Sequence, residues 1–363
     1  MDHNYYAVIM AGGVGSRFWP VSTKDYPKQF HDMLGKGESL LQSTFKRMAK
    51  LIPNENILIA TNQRYKDLVL EQLDGVKELQ LLLEPTMRNT APCILYAALK
   101  IQKENPDGVM IVAPSDHWID DEQTFINNIE TSFQACANQD ILMTLGIQPT
   151  FANTGYGYIQ FDPDSHWDAE IEIKKVKKFT EKPELEVAKQ FLESGDYLWN
   201  AGIFIWSVKS ILKAFEENLP EMTRLFCEGN LVYNTDFEDD FIRTNYGNAE
   251  DISIDYGIMQ AATNIYVLPV DFGWNDLGTW SSLYDKLPKD YENNASVNGK
   301  TIFRNASGNM VSTQTKKHVI IQGLDDFIVV EKDNVLLICP KKDDQNIKQI
   351  VANVKKEFGE NLV

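Results

Sequence analysis

The chain has 363 residues, with 35 Lys and Arg against 52 Asp and Glu and a formal net charge of −17, a balance that argues against nonspecific binding to nucleic acid or to an anionic membrane. Its cysteines, Cys93, Cys136, Cys227 and Cys339, are scattered without a C-x-x-C pair, so neither a disulfide framework nor a zinc site is indicated. The N-terminus lacks the basic and apolar regions of a signal peptide and no apolar run approaches transmembrane length, so a soluble cytoplasmic protein is expected, long enough for two domains.

The first element in chain order is an apolar run at residues 6–10, which reads as a buried strand of a parallel sheet. It runs into Ala11-Gly12-Gly13-Val14-Gly15-Ser16-Arg17-Phe18-Trp19-Pro20. Glycines let backbone N–H groups come close to a bound anion, and Arg17 and Lys28 of Pro27-Lys28-Gln29-Phe30 would set full positive charges beside it. A dinucleotide fingerprint would need glycine where Phe18 stands, and the Gly-Lys-Ser/Thr of a P-loop does not occur. The plain alternative is a glycine-rich turn joining a strand to a helix. Further strands are expected at 57–61, 108–113 and 141–146, alternating with amphipathic helices at 40–49, 65–73, 91–104 and 123–138. This βαβ rhythm predicts an α/β fold, a doubly wound and mostly parallel sheet that binds ligands beyond its strand ends.

Polar segments punctuate this pattern. Glu84-Pro85-Thr86-Met87-Arg88-Asn89-Thr90-Ala91-Pro92 precedes a helix, and it either caps that helix or brings Asn89 and backbone groups to a base. Asp116, in Ala113-Pro114-Ser115-Asp116-His117, lies just past a strand end, as a magnesium ligand or as a turn or N-cap aspartate; His117 reads as a packing residue. Segments 155–160 and 176–183 look like strands of a second lobe of the site, followed by a helix at 184–194, a strand at 201–207 and a helix at 208–217. Glu181-Lys182-Pro183 could hold a phosphate and sugar hydroxyls, or form a surface ion pair. Asn200, in Trp199-Asn200-Ala201-Gly202, suits a sugar ring as well as a strand-edge turn. Asp276, in Asp271-Phe272-Gly273-Trp274-Asn275-Asp276-Leu277-Gly278, is a turn residue taken alone, but with Asp116 it makes the carboxylate pair that Mg²⁺ favours beside phosphate oxygens. Near residue 289 the pattern turns to short β runs at 302–305, 309–312, 318–322, 327–331 and 335–339 and a charged helix at 343–358. Two domains follow: a catalytic one at 1–288 and a small β-rich assembly or capping one at 289–363.

In order and spacing, these motifs resemble the sugar-1-phosphate nucleotidylyltransferases, most closely the mannose-1-phosphate guanylyltransferases. The match runs from residue 8 to 280; the glycine loop marks the wider family, and Arg88-Asn89-Thr90-Ala91-Pro92 and the Trp274 segment point to the mannose branch. The tail is similar to that family's short C-terminal domain with a partial left-handed β-helix. Some relatives add a phosphomannose isomerase half, an activity not expected here. The resemblance implies attack by mannose 1-phosphate on the α-phosphorus of GTP, giving GDP-mannose and pyrophosphate without a protein nucleophile. It implies catalytic roles for Arg17, Lys28, Asp116 and Asp276, with Mg²⁺ on the two aspartates. Ala11, Gly12, Gly13, Gly15, Ser16, Arg17, Lys28, Glu84, Asn89, Ala91 and Asp116 would bind the nucleotide, and Gly157, Glu181, Lys182 and Asn200 the sugar phosphate. The Glu84 carboxylate would accept both N1–H and N2–H of guanine. The competing readings are another nucleotide and hexose 1-phosphate pair, a nucleotide-sugar sensor without turnover, and an assembly module. A β-rich tail with edge strands makes a homodimer the expected state.

Overall fold

A computed structural model describes residues 2–165, 167, 172–313 and 317–362, so the outermost residues of the two expected domains, Met1 and Val363, lie outside the described residues. The chain forms two units. The first takes in the chain up to Gly12, Phe45–Ser115 and Ile119–Trp274; the second takes in Gly13–Thr44, Asp116–Trp118 and the chain from Asn275 on.

Among the described residues, the first unit is built on one sheet of nine strands. In chain order they are β1 (Tyr5–Met10), β2 (Ile57–Asn62), β3 (Leu81–Glu84), β4 (Val109–Pro114), β5 (Leu142–Ile147), β6 (Tyr158–Phe161), β7 (Lys174–Thr180), β8 (Tyr197–Ser207) and β9 (Ile265–Val270). Their spatial order is β3-β2-β1-β4-β8-β5-β9-β7-β6. The expected parallel run is present: β1 pairs in parallel with β2 and β4, and β2 with β3. The expected helices are present too, at Thr90–Glu104 and Glu122–Asn138 among others. They cover the sheet, so β1, β2, β4 and β5 are apolar and buried almost throughout, as strands covered on both faces must be. One core gathers Tyr6, Val8, Leu95, Leu99, Met110, Val112, Trp206 and Phe215. Several elements differ from the sequence reading, β9 among them, since no strand was assigned to its stretch. β3 lies in a stretch with no assigned strand and ends on Glu84. β8 is longer than its expected C-terminal half and runs antiparallel between β4 and β5, which makes the sheet mixed. Helices Pro220–Cys227 and Glu238–Asn245 fill a stretch left without structure.

Among its described residues the second unit holds six short strands, β10 (Ala295–Val297), β11 (Lys300–Arg304), β12 (Met310–Thr313), β13 (His318–Gln322), β14 (Phe327–Lys332) and β15 (Val335–Pro340). Strands β10, β12 and β14 stack in parallel, β11 and β13 form a second parallel stack, and β15 turns back on β14. Successive coils thus lie one above another, as in a β-helix. An asparagine ladder closes their corners: buried Asn309 donates its side-chain amide to Asn294 Oδ1 (3.0 Å) and to the Leu324 carbonyl (2.6 Å), and accepts from Phe327 N (2.9 Å). The last helix is Ile347–Phe358, with a 3₁₀ stretch at Lys341–Asn346 where the sequence suggested one continuous helix. The glycine loop's Phe18, Trp19 and Val21 bury against Trp280, Leu283, Met310, Ile328 and Ile347, which is why residues 13–44 join this unit.

Candidate active site

In the second unit, Gly15, Ser16, Arg17, Lys28, Asp116, Asp276 and Lys348 are among the residues that line one cavity of about 270 Å³. Gly15 has φ 65°, and a Cβ there would stand 2.5 Å from Lys28 Cβ, so only glycine lets the loop close onto the lysine stem. Gly13 has open space on its side-chain face. Ser16–Phe18 forms one 3₁₀ turn, and the buried Arg17 Nε has no hydrogen-bond partner. A buried guanidinium donor left unmatched is costly unless a ligand meets it.

Lys28 is itself buried, with its ammonium 2.9 Å from Asp116 Oδ2. It also donates to the carbonyls of Asp276 (3.1 Å) and Leu277 (2.7 Å), so all three of its N–H groups are engaged. Burial would push the Asp116 carboxyl up, but the Lys28 ammonium and His117 outweigh it and hold the group below its ordinary 3.8. Asp276 turns on itself, its Oδ1 accepting from Gly278 N at 3.1 Å. Among the described residues no cluster of three or more His, Cys, Asp and Glu could hold a metal. Two carboxylates facing one cavity with an arginine and a lysine do fit Mg²⁺, which takes one or two carboxylates and fills its octahedron with substrate phosphate oxygens and water.

In the first unit, two further groups form. Glu84 ends β3, buried, with Oε1 accepting the hydroxyl of buried Tyr246. Burial pushes its carboxyl from 4.5 up to about 7, only partly offset by that hydrogen bond. A Cβ on Gly12 would sit 3.4 Å from Glu84 Oε2, so the start of the glycine loop passes against this carboxylate. Ala11 has its N–H on the Ala60 carbonyl (2.7 Å) and its carbonyl on Thr61 Oγ1 (2.9 Å), which anchors the loop's first residue to β2. Asn89 opens the helix Thr90–Glu104 with φ 62°, and the Ala91 N–H is on the Ile252 carbonyl at 3.1 Å. Arg88 donates to the Gly247 carbonyl at 2.5 Å.

The second group is Gly157, Glu181, Lys182 and Asn200. A Cβ on Gly157 would lie 2.4 Å from Glu181 Oε2 and 3.3 Å from Asn200 Cβ, so the three meet. Lys182 adopts φ 46°, a strained value for lysine, and donates to Glu181 Oε1 at 2.8 Å. Asn200 is held from three sides: Thr144 Oγ1 (3.2 Å) and Gly202 N (3.1 Å) on its Oδ1, and Asp255 Oδ1 (3.0 Å) accepting from its Nδ2. Asp255 opens a π-helical turn, Asp255–Met259, and its carboxyl is pushed up to about 6 by burial and then by the charge of Glu181. The aromatic rings of Tyr156 and Trp274 meet at 5.3 Å, and Tyr156 also packs on Trp199.

Sequence reasoning missed Tyr246, Asp255 and Lys348. None carries a motif, and Tyr246 stands 162 residues from the glutamate it touches. The π-turn at Asp255 shows only in the backbone geometry.

A family model described as Nucleotidyl transferase matches residues 6–293, and one described as MannoseP isomerase/GMP-like beta-helix domain matches residues 299–354. A mannose-1-phosphate guanylyltransferase of Escherichia coli is 34% identical over 354 residues, covering 96% of this chain and 75% of its own. The mannose-1-phosphate guanylyltransferase RfbM of Salmonella typhimurium is 37% identical over 361 residues, covering 97% and 73%. A solved structure from Thermus thermophilus, described as a mannose-1-phosphate geranyltransferase, aligns with a TM-score of 0.86 at 27% identity, over 97% of this chain and 99% of that one.

Proposed function

Since the chain belongs to the nucleotidyl transferase family, we propose that it transfers GMP from GTP to mannose 1-phosphate, releasing pyrophosphate and forming GDP-mannose. The observation that carries this reading is the cavity in which Asp116 and Asp276 face Arg17 and Lys28. A sugar-phosphate oxygen attacks the α-phosphorus in line, and the bond from that phosphorus to the bridging oxygen breaks. The nucleophile is already ionised, so the protein has charge and position to supply rather than a base. Arg17, with its unmatched Nε, takes up the charge that grows on the bridging oxygen. Lys28 keeps the Asp276–Leu277 carbonyls and Asp116 in place beside the triphosphate. Asp116 and Asp276 are the residues that would hold Mg²⁺, which when bound neutralises the phosphate oxygens. The amides of Gly12, Gly13, Gly15 and Ser16 line the phosphates, while Ala11 acts as the loop's anchor.

Glu84 reads the base. Tyr246 occupies one face of Oε1, leaving the remaining lone pairs for the two adjacent donors of guanine. Asn89 and Ala91 shape that end of the pocket. Lys182 holds the sugar phosphate, and Glu181 and Asn200 take sugar hydroxyls beside Gly157. The catalytic domain is placed at 1–288 and the assembly domain at 289–363, and the protein in the cytoplasm; among the described residues no helix is long and apolar enough to cross a membrane. Exposed Ile302 and Ile320, paired across β11 and β13, support a homodimer.

The test is pyrophosphate release with Mg²⁺, crossing GTP, ATP, UTP, CTP and dTTP against the 1-phosphates of mannose, glucose and galactose. The expected result is a dominant GTP–mannose 1-phosphate signal that Asp276→Ala lowers by about a hundredfold or more. Dominance of another pair would overturn the base and sugar assignments. No turnover with any pair, while GDP-mannose binds, would make the protein a sensor.

A further inference from the structure

The helix Ile347–Phe358 belongs to the β-rich tail, a region whose sequence suggests only assembly or capping. Yet its second residue, Lys348, lines the same cavity as Arg17, Lys28, Asp116 and Asp276. The start of the helix is held firmly there. Ile347 is fully buried in the core that contains Phe18 and Trp19, and Trp19 Nε1 donates to the Leu362 carbonyl at 2.6 Å just past the helix. The backbone beneath Lys348 is therefore fixed against the turn Ser16–Phe18.

Two things set Lys348 apart. It makes no ion pair and no hydrogen bond with any described residue, although Asp344 stands one helical turn before it. Asp344 is instead turned inward, buried, with Oδ2 on Ser281 N at 3.0 Å. Lys348 also lines the cavity from a helix that continues the 3₁₀ stretch Lys341–Asn346, so its backbone position is fixed on both sides. An unpaired lysine held at the cavity wall is placed to meet an anion there. The neighbouring cations point the same way: all three donors of Lys28 are committed within the protein, whereas Arg17 Nε has no partner. The positive charge left for a ligand comes from Arg17 and Lys348.

We propose that Lys348 is a substrate-binding residue, which holds the terminal phosphates of the nucleoside triphosphate and the pyrophosphate they become. The inference rests on the nucleotidyl-transfer reading of this cavity. It makes the C-terminal segment part of the phosphate site, with Arg17 on one side of the pyrophosphate and Lys348 on the other. The sugar phosphate and the GMP moiety are not its ligands, so its effect divides the substrates into two classes.

The experiment compares wild type, Lys348→Ala and Lys348→Arg in both reaction directions. The expected result for Lys348→Ala is a rise of about tenfold in the KM for GTP and, in reverse, for pyrophosphate, while the KM values for mannose 1-phosphate and GDP-mannose change less than about twofold. Lys348→Arg should recover most of the loss, since arginine keeps the charge. Lys348 is exposed, so neither variant threatens the fold. Equal changes for all four ligands, or none, would overturn the proposal. Should the wild type turn over no substrate pair, titration calorimetry of the full chain with pyrophosphate and Mg²⁺ decides: about tenfold weaker binding in Lys348→Ala upholds the lysine's role, and unchanged or absent binding overturns it.

Discussion

Replacing Glu84 with glutamine separates the stability of this protein from its proposed base choice. Glu84 is 7% exposed, its Oε1 accepts the Tyr246 hydroxyl, and burial pushes its carboxyl from 4.5 up to about 7. A carboxyl raised in the folded state weakens stability as pH rises. Below 4.5 the group is protonated whether the chain is folded or not, so it contributes nothing. Above about 7 the folded chain must hold a buried charge that the unfolded chain keeps in water, and the penalty is complete. At about 1.4 kcal/mol per pH unit, the rise from 4.5 to about 7 sets that penalty at about 3 kcal/mol, with about 1 kcal/mol of it already present at about pH 5.5. Glutamine has nearly the same shape, still accepts the tyrosine hydroxyl and carries no charge. Glu84→Gln should therefore be more stable than wild type, with the gap growing by about 2 kcal/mol between about pH 5.5 and about pH 8. Urea unfolding of both proteins at the two pH values measures it. A gap that is the same at both would refute the buried-charge argument. The same variant should lose preference for GTP over other nucleotides, since one acceptor becomes a donor. The wild-type KM for GTP should rise as pH falls below about 7, where Glu84 takes up its proton. Unchanged selectivity would remove Glu84 from base recognition whatever the stability data show.

Two further substitutions probe the sugar side. Lys182→Ala should raise the KM for mannose 1-phosphate by about tenfold and leave that for GTP within about twofold; steady-state kinetics with each substrate varied will show it, and equal effects contradict the assignment. Gly157→Ala should do the same by steric means, because the new Cβ would lie 2.4 Å from Glu181 Oε2 and push that carboxylate off Lys182. Gly157 is not among the glycines with positive φ, so the thermal midpoint should stay within a few degrees of wild type while the KM for the sugar phosphate climbs. A large fall in the midpoint would show that Gly157 serves the fold and not the pocket.

What the sequence revealed follows from how each element is buried. β1, β2, β4 and β5 are covered on both faces, so they read as continuous apolar runs, and the helices between them carry clear amphipathic spacing. β8 was only half legible because Trp199-Asn200-Ala201-Gly202 interrupts its apolar pattern with the polar asparagine that meets Thr144 and Asp255, and no local signal tells an antiparallel insertion from a parallel strand. β3 is four residues long, too short for any period. The cavity's Arg17 and Asp116 were legible because they follow a glycine loop and a strand end, where a polar residue has few structural reasons to be, and Lys28 and Asp276 because they sit in short motifs rich in proline, glycine and aromatic residues. Their division of labour was not. Lys28 looks in the sequence like a free cation beside a phosphate loop. In the fold its three donors hold two carbonyls and a carboxylate, a task that depends on residues 88 and some 250 positions away.

That commitment shifts weight to residues with no motif. If Lys28 spends its charge on fixing Asp116 and the Asp276 loop, the cavity needs another cation to match a triphosphate, since a chain with a net charge of −17 supplies no favourable background field. Lys348 meets that need from a helix whose start is set by Ile347, packed with Phe18 and Trp19 of the glycine-loop segment. The apolar contact and the phosphate contact thus fall on adjacent residues of one helix turn. The same logic holds in the first unit, where Tyr246 and Asp255 sit on elements that looked featureless and orient Glu84 and Asn200 by one hydrogen bond each. On the proposed reading the motif residues meet the substrate while the residues that aim them come from wherever the chain passes, so removing Tyr246 or Asp255 should alter substrate choice in the crossed pyrophosphate-release assay and not only stability.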